Sequence, residues 1–152
     1  MSTDDNTFRR VDWSDDGPLL SDDDDANGMP LLLPRGAGLS DADLELLTLA
    51  ARALGATVEV VEGEQWVVLH FADGAIQHGW NSLRHGDDAL YLAVDLGLQV
   101  IPAARTMSGE ACVAVAGPAG GRLAEEPSTP DARAATRIVV TRAAAEIGKA
   151  MP

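Results

Sequence analysis

The sequence is poor in cysteine, in positive charge and in long apolar runs. A single cysteine, Cys112, in 152 residues excludes an internal disulfide framework and a cysteine-based zinc site. Its setting, Ala111-Cys112-Val113-Ala114-Val115, suits a small buried apolar side chain rather than a reactive thiolate. No segment approaches the ~18 uninterrupted apolar residues needed to span a bilayer. The opening Met1-Ser2-Thr3-Asp4-Asp5 lacks the basic and apolar regions of a secretory signal. These absences lead us to expect a soluble protein of a reducing, cytoplasmic compartment, without a membrane association.

What is abundant is acid. Lys and Arg number 11 against 24 Asp and Glu, for a net charge of −13. The charge is unevenly spread. Residues 1–28 carry nine Asp and two Arg, and residues 56–95 carry seven acids and one Arg. Residues 131–152 are slightly basic, with two acids and four bases. A chain of this sign repels bare nucleic acid, so direct DNA or RNA binding is not expected. It favours a protein partner with a basic surface, whose encounter it would accelerate. The plainer alternative is that the acidity serves solubility alone.

The length and the 46% hydrophobic content predict one domain with a real core. Residues 1–38 read as a flexible acidic arm, because low hydrophobicity with like charge does not offset the entropy of ordering. Within it, Phe8 and Trp13 interleave with aspartates, and Asp22, Asp23, Asp24 and Asp25 form a run. Such a mixture makes the arm a candidate docking segment. The apolar Leu31-Leu32-Leu33, between two prolines, could lie on the domain as an extended piece.

The folded part, 39–152, is expected to be α+β. Ser40 caps a helix over 41–54, with Leu44, Leu47, Ala51 and Leu54 at helical spacing and Gly55 as the stop. Three strands follow, Thr57–Glu62, Gln65–Phe71 and Ala75–Trp80, joined at Gly63-Glu64 and Asp73-Gly74. Two-residue turns there pair Val60 with Val67, Val58 with Leu69, Phe71 with Ile76, Leu69 with His78 and Val67 with Trp80. The resulting face of Val58, Val60, Val67, Leu69, Phe71, Ile76 and Trp80 is wholly apolar. The opposite face is mixed, and a homodimer through Val61, Trp66 and Val68 is compatible with it.

Asp87 and Asp88 open a second helix that ends at Gly97, with Leu90, Tyr91, Val94 and secondarily Leu92 expected inward. Leu98–Ile101, halted by Pro102, and Ala111–Ala116 are the fourth and fifth strands. Residues 117–127 read as a Gly/Glu/Pro-rich loop, and Thr129-Pro130-Asp131 starts a last helix to about 149. The whole predicts an antiparallel or mixed sheet of four to five strands packed with three helices.

No motif points to catalysis. Ser82 and Ser108 lack a nucleophile-elbow context, and no acid pair is marked as buried. His70 and His78 fall on opposite sheet faces in this register, so they do not share an ion. His78 is expected at the core edge, bonded to backbone or to Tyr91. His85 with Asp87 and Asp88 follows no ligand spacing, so neither a metal nor a cofactor is expected. Gly117–Arg122 lacks the Lys-Ser/Thr ending of a phosphate loop. The most distinctive string is His78-Gly79-Trp80-Asn81-Ser82-Leu83, followed by Asp87-Asp88-Ala89. Its structural reading is a strand, an Asn-closed turn and an acid-capped helix. Its functional reading is a ligand-binding rim, for a small molecule or nucleotide, around Trp80 and Asn81.

Trp80-Asn81-x-Leu83, then Asp87-Asp88-Ala89-x-x-Leu92-Ala93, resembles the phage ABA-sandwich (NinX-like) proteins. Ala134-Ala135-Thr136-Arg137 and Arg142–Gly148 resemble their final helix. The likeness covers residues 40–149. It departs at Ser82, where proline is expected, and in a long insertion between Ile101 and Ala132. It implies a phage or prophage accessory protein expressed inside a bacterium, with no activity or catalytic residue to carry over. The expectation that follows is a non-enzymatic accessory factor that binds a basic protein surface, such as the nucleic-acid channel of a host or defence complex. Glu59, Glu62, Glu64, Asp87, Asp88 and the arm aspartates are its candidate contacts.

Overall fold

The computed structural model describes residues 38–152. Phe8, Trp13, Asp22–Asp25 and Leu31–Leu33 lie outside the described residues. The chain order is α1 (Asp41–Ala53), β1 (Ala56–Val60), β2 (Val67–Phe71), β3 (Ile76–Trp80), α2 (Gly86–Asp95), β4 (Gln99–Arg105), β5 (Ala111–Ala116), β6 (Arg122–Pro127) and α3 (Ala132–Ala150). The fold is α+β with three helices, as expected. The strands, however, form two separate antiparallel sheets, β1-β2-β3 and β4-β5-β6, rather than one sheet of four to five.

Helix α1 forms where the sequence places it. The Ser40 hydroxyl accepts from the Asp43 amide at 3.1 Å, and Leu47, Ala50 and Ala51 are buried. The first hairpin keeps its register, with Val60 opposite Val67 and Val58 opposite Leu69. The second departs from it. The Phe71 amide bonds to the Ala75 carbonyl and the Gly74 amide to the Phe71 carbonyl. The loop therefore holds three residues, a turn followed by a left-handed glycine, and every pairing moves by one. Leu69 faces Gln77 and His70 faces Ile76. Gln77 thus takes the core side, and Ile76, expected in the core, is 55% exposed. His78, expected at the core edge, is exposed too.

A bulge then cancels the offset. His78 and Gly79 together oppose Val68, and Val67 again meets Trp80. Gly79 has φ +72°, a conformation that L side chains reach only with strain. Trp80 is returned to the core by this one extra residue.

The same three-residue loop recurs twice. Thr106 bonds to Glu110 and Gly109 to Thr106; Gly117 bonds to Gly121 and Gly120 to Gly117. Gly74, Gly109 and Gly120 have φ of +88°, +88° and +85°. The third of these turns creates β6, in the segment expected to be a loop. Strand β4 continues through Pro102, which sits at an irregularity between Ile101 and Ala104, where a missing N–H breaks no ladder bond.

One continuous core joins the helices to both sheets, with Leu47, Val67, Leu69, Trp80, Leu92, Val113, Val115 and Val139 among its members. Helix α3 packs against α1, α2 and the second sheet, and α1 also packs against β1. Its cap is Asp131, which accepts from the Arg133 and Ala134 amides, not Thr129. Small residues permit the α1–α3 approach: a Cβ on Gly148 would lie 1.9 Å from the Leu49 carbonyl oxygen. On the outer face of the second sheet, Arg122 of β6 pairs with Glu125 at 2.7 Å. It also donates to the Arg105 carbonyl of β4 at 3.2 Å. Since β5 lies between those strands, the Arg122 side chain crosses it, above the buried Ala104, Cys112 and Ala114.

Candidate functional site

The Trp80–Asp88 string is a structural knot. Trp80, Asn81 and Ser82 are buried. The Asn81 carboxamide oxygen accepts from the Leu83 and Arg84 amides at 3.0 and 3.2 Å, and its NH2 donates to the Gln65 carbonyl. Both ends of the side chain are therefore spent on backbone. Asp88, in the first turn of α2, accepts from the Asn81 amide at 2.8 Å. It also bonds Gln77 at 3.4 Å and the His85 ring at 3.1 Å. The carboxylate sits where the helix dipole favours it and ties the end of β3 to the start of α2.

The same turn is fastened to α3. Thr141 donates its hydroxyl proton to the Arg137 carbonyl at 2.8 Å. Ser82 must then be the donor in the 2.8 Å Ser82–Thr141 bond. Arg137 Nε donates to the Leu83 carbonyl at 3.2 Å. Among the described residues, no buried side-chain nitrogen or oxygen lacks a partner. The Asn81 carboxamide and the Ser82 hydroxyl are thus bonded within the protein.

The remaining candidates are dispersed. Glu59, Glu62, Glu64 and Asp87 are exposed, and Glu59 pairs with His70 at 2.6 Å. On the dimer face that the sequence allows, Val68 is buried and Val61 and Trp66 are half-buried. Among the described residues, no group of three or more His, Cys, Asp or Glu side chains could hold a metal ion. Cys112 is buried and free. Among the described residues, no helix is long and apolar enough to cross a membrane.

The feature that sequence reasoning missed is on α2. Leu90, Tyr91 and Val94, expected inward, are 61%, 64% and 68% exposed. Leu92, secondarily expected inward, is buried, and Ala89 and Ala93 join it, with Leu96 packed against the core. Positions 89, 92, 93 and 96 form a complete i, i+3, i+4, i+7 stripe, so the signal was present in the spacing. The small alanines let α2 lie close to α3. The larger apolar side chains are left on the solvent side, where helical geometry sets Asp87 beside Leu90 and Tyr91, and Asp95 beside Tyr91.

Compared with protein-family models, curated proteins and solved structures, the chain gives no match.

Proposed function

We propose that the protein is a non-enzymatic binding factor and that the outward face of α2 is its docking surface. The observation that carries this is the exposure of Leu90, Tyr91 and Val94 on one helix face. Single exposed apolar residues are ordinary, but a contiguous set marks an interaction site. Burying such side chains contributes about 1.5–3 kcal/mol each, enough for three of them to anchor a helix in a groove. Asp87 and Asp95 at the margins, and the acidic bias of residues 56–95, select a partner whose apolar groove is edged by Arg and Lys.

The likeness to phage accessory proteins supports a finer reading. The partner is then a bacterial nucleic-acid-handling or defence complex, and the acidic surface, with Glu59, Glu62, Glu64 and the arm aspartates, occupies a channel built for nucleic acid. Affinity capture with the full chain tests it. Leu90→Glu with Val94→Glu, both at exposed positions, should leave stability within about 0.5 kcal/mol and weaken capture of one specific protein by at least about tenfold. Asp87→Asn with Asp95→Asn should weaken the same capture less, and mainly at low salt. Equal recovery of that protein by all variants would remove the proposal.

A further inference from the structure

A cleft of about 300 Å³ opens between α2 and α3. Its walls are Leu90 and Ala93 of α2, Val100 of β4 and Val140 of α3, and Arg133 and Arg137 line it as well. The lining is therefore mostly apolar, with Arg133, Arg137 and Thr136 as its polar residues, and the Thr136 hydroxyl donates to the Ala132 carbonyl. This is the composition of a small-ligand site: a mostly apolar concavity with a few polar groups that fix orientation.

The state of the two arginines decides what the ligand carries. Acids outnumber bases by 24 to 11 in this chain, and Arg122, Arg142 and Lys149 all have carboxylate partners. Among the described residues, Arg133 and Arg137, like Arg52, Arg84 and Arg105, have no carboxylate within ion-pair distance, and only Arg133 and Arg137 of these line the cleft. Arg137 commits only its Nε, to the Leu83 carbonyl. Both arginines act on Asp131 through space, but that carboxylate is held by the two amides it caps. Two arginines that line an apolar cleft and have no carboxylate partner among the described residues suit a planar carboxylate attached to a hydrocarbon body.

We infer that the cleft between α2 and α3 binds a small apolar carboxylate, its acid group against Arg133 and Arg137 and its hydrocarbon body against Leu90, Ala93, Val100 and Val140. Neither Trp80 nor Asn81 lines this cleft, which meets their turn through the Arg137 bond to the Leu83 carbonyl. The cleft shares Leu90 with the proposed docking face, but Ala93, Val100, Thr136 and Val140 lie outside that face, so signals from these four residues test the cleft separately from the docking role of α2.

Amide chemical shifts of the full chain, followed during titration with phenylacetate and with octanoate, test the inference. At least one of the two should shift the amides of Ala93, Val100, Thr136 and Val140 saturably at millimolar concentration. Arg133→Gln, at an exposed position, should weaken that binding by about tenfold, the equivalent of one charge-assisted hydrogen bond. Thr136→Phe, which fills the cleft and keeps both arginines, should abolish it while the rest of the spectrum is unchanged. The uncharged analogues 2-phenylethanol and octanol should bind more weakly, and inorganic phosphate should not reproduce the shifts at Val100 and Val140. The inference is overturned if neither carboxylate shifts the cleft amides, or if the alcohols bind as tightly. It also fails if Arg133→Gln leaves affinity unchanged, or if phosphate gives the same response.

Discussion

Asn81 is buried, and its side chain accepts from the Leu83 and Arg84 amides and donates to the Gln65 carbonyl. Asn81→Ala removes these partly buried bonds and leaves the Leu83 amide and the Gln65 carbonyl without this partner, so urea unfolding should show a loss of about 1–3 kcal/mol. Asp131 allows a test by pH. The amides of Ala134 and Arg133, then the charges of Arg137 and Arg133, hold its carboxyl below the ordinary value of 3.8. A depressed folded-state pKa means that the contribution to stability is complete above the unfolded value and is lost as pH falls through the folded one. Thermal melts of wild type and Asp131→Ala should therefore differ at neutral pH. The difference should narrow below about pH 4, near the unfolded carboxyl value.

At the level of elements, Gly148 fixes how closely α1 and α3 approach. Gly148→Ala drives a methyl group into the Leu49 carbonyl, and the helices must separate. Denaturant midpoints should fall by the equivalent of about 1–3 kcal/mol, the usual range for overpacking, even though alanine is the better helix former. Much of this level was legible in the sequence: α1 from Ser40 and its apolar spacing, β5 within its observed bounds, and the register of the first hairpin. The second hairpin was misread because Asp73-Gly74 suits both a two-residue loop and a three-residue loop ending in a left-handed glycine. The choice between them shifts Ile76 and Gln77 across the sheet. Strand β6 was hidden because Arg122–Pro127 is polar and pairs along one edge only. The repeated turn, Gly fourth of five in 71–75, 106–110 and 117–121, was the signal that could have revealed it. On α2 two apolar stripes compete: bulk favours Leu90, Tyr91 and Val94 for the core, whereas the structure buries Leu92 with the small Ala89 and Ala93.

For the whole molecule, that competition is the origin of the functional reading. Ala89, Leu92, Ala93 and Leu96 seat α2 on the core, and Leu90, Tyr91 and Val94 are left exposed. The candidate site was therefore half legible: Asp87 stands at the margin of the exposed face, whereas Trp80, Asn81 and Asp88 belong to the turn beneath it. The direct measurement is photo-crosslinking in bacterial cells, with p-benzoylphenylalanine in place of Tyr91 and, as a control, in place of the exposed Thr48 of α1. The expected result is one discrete protein adduct from position 91, lost when Leu90→Glu is added, with the crosslink mapping to an Arg- or Lys-rich surface of the partner. No adduct from position 91, or the same adducts from position 48, would contradict the docking role of α2.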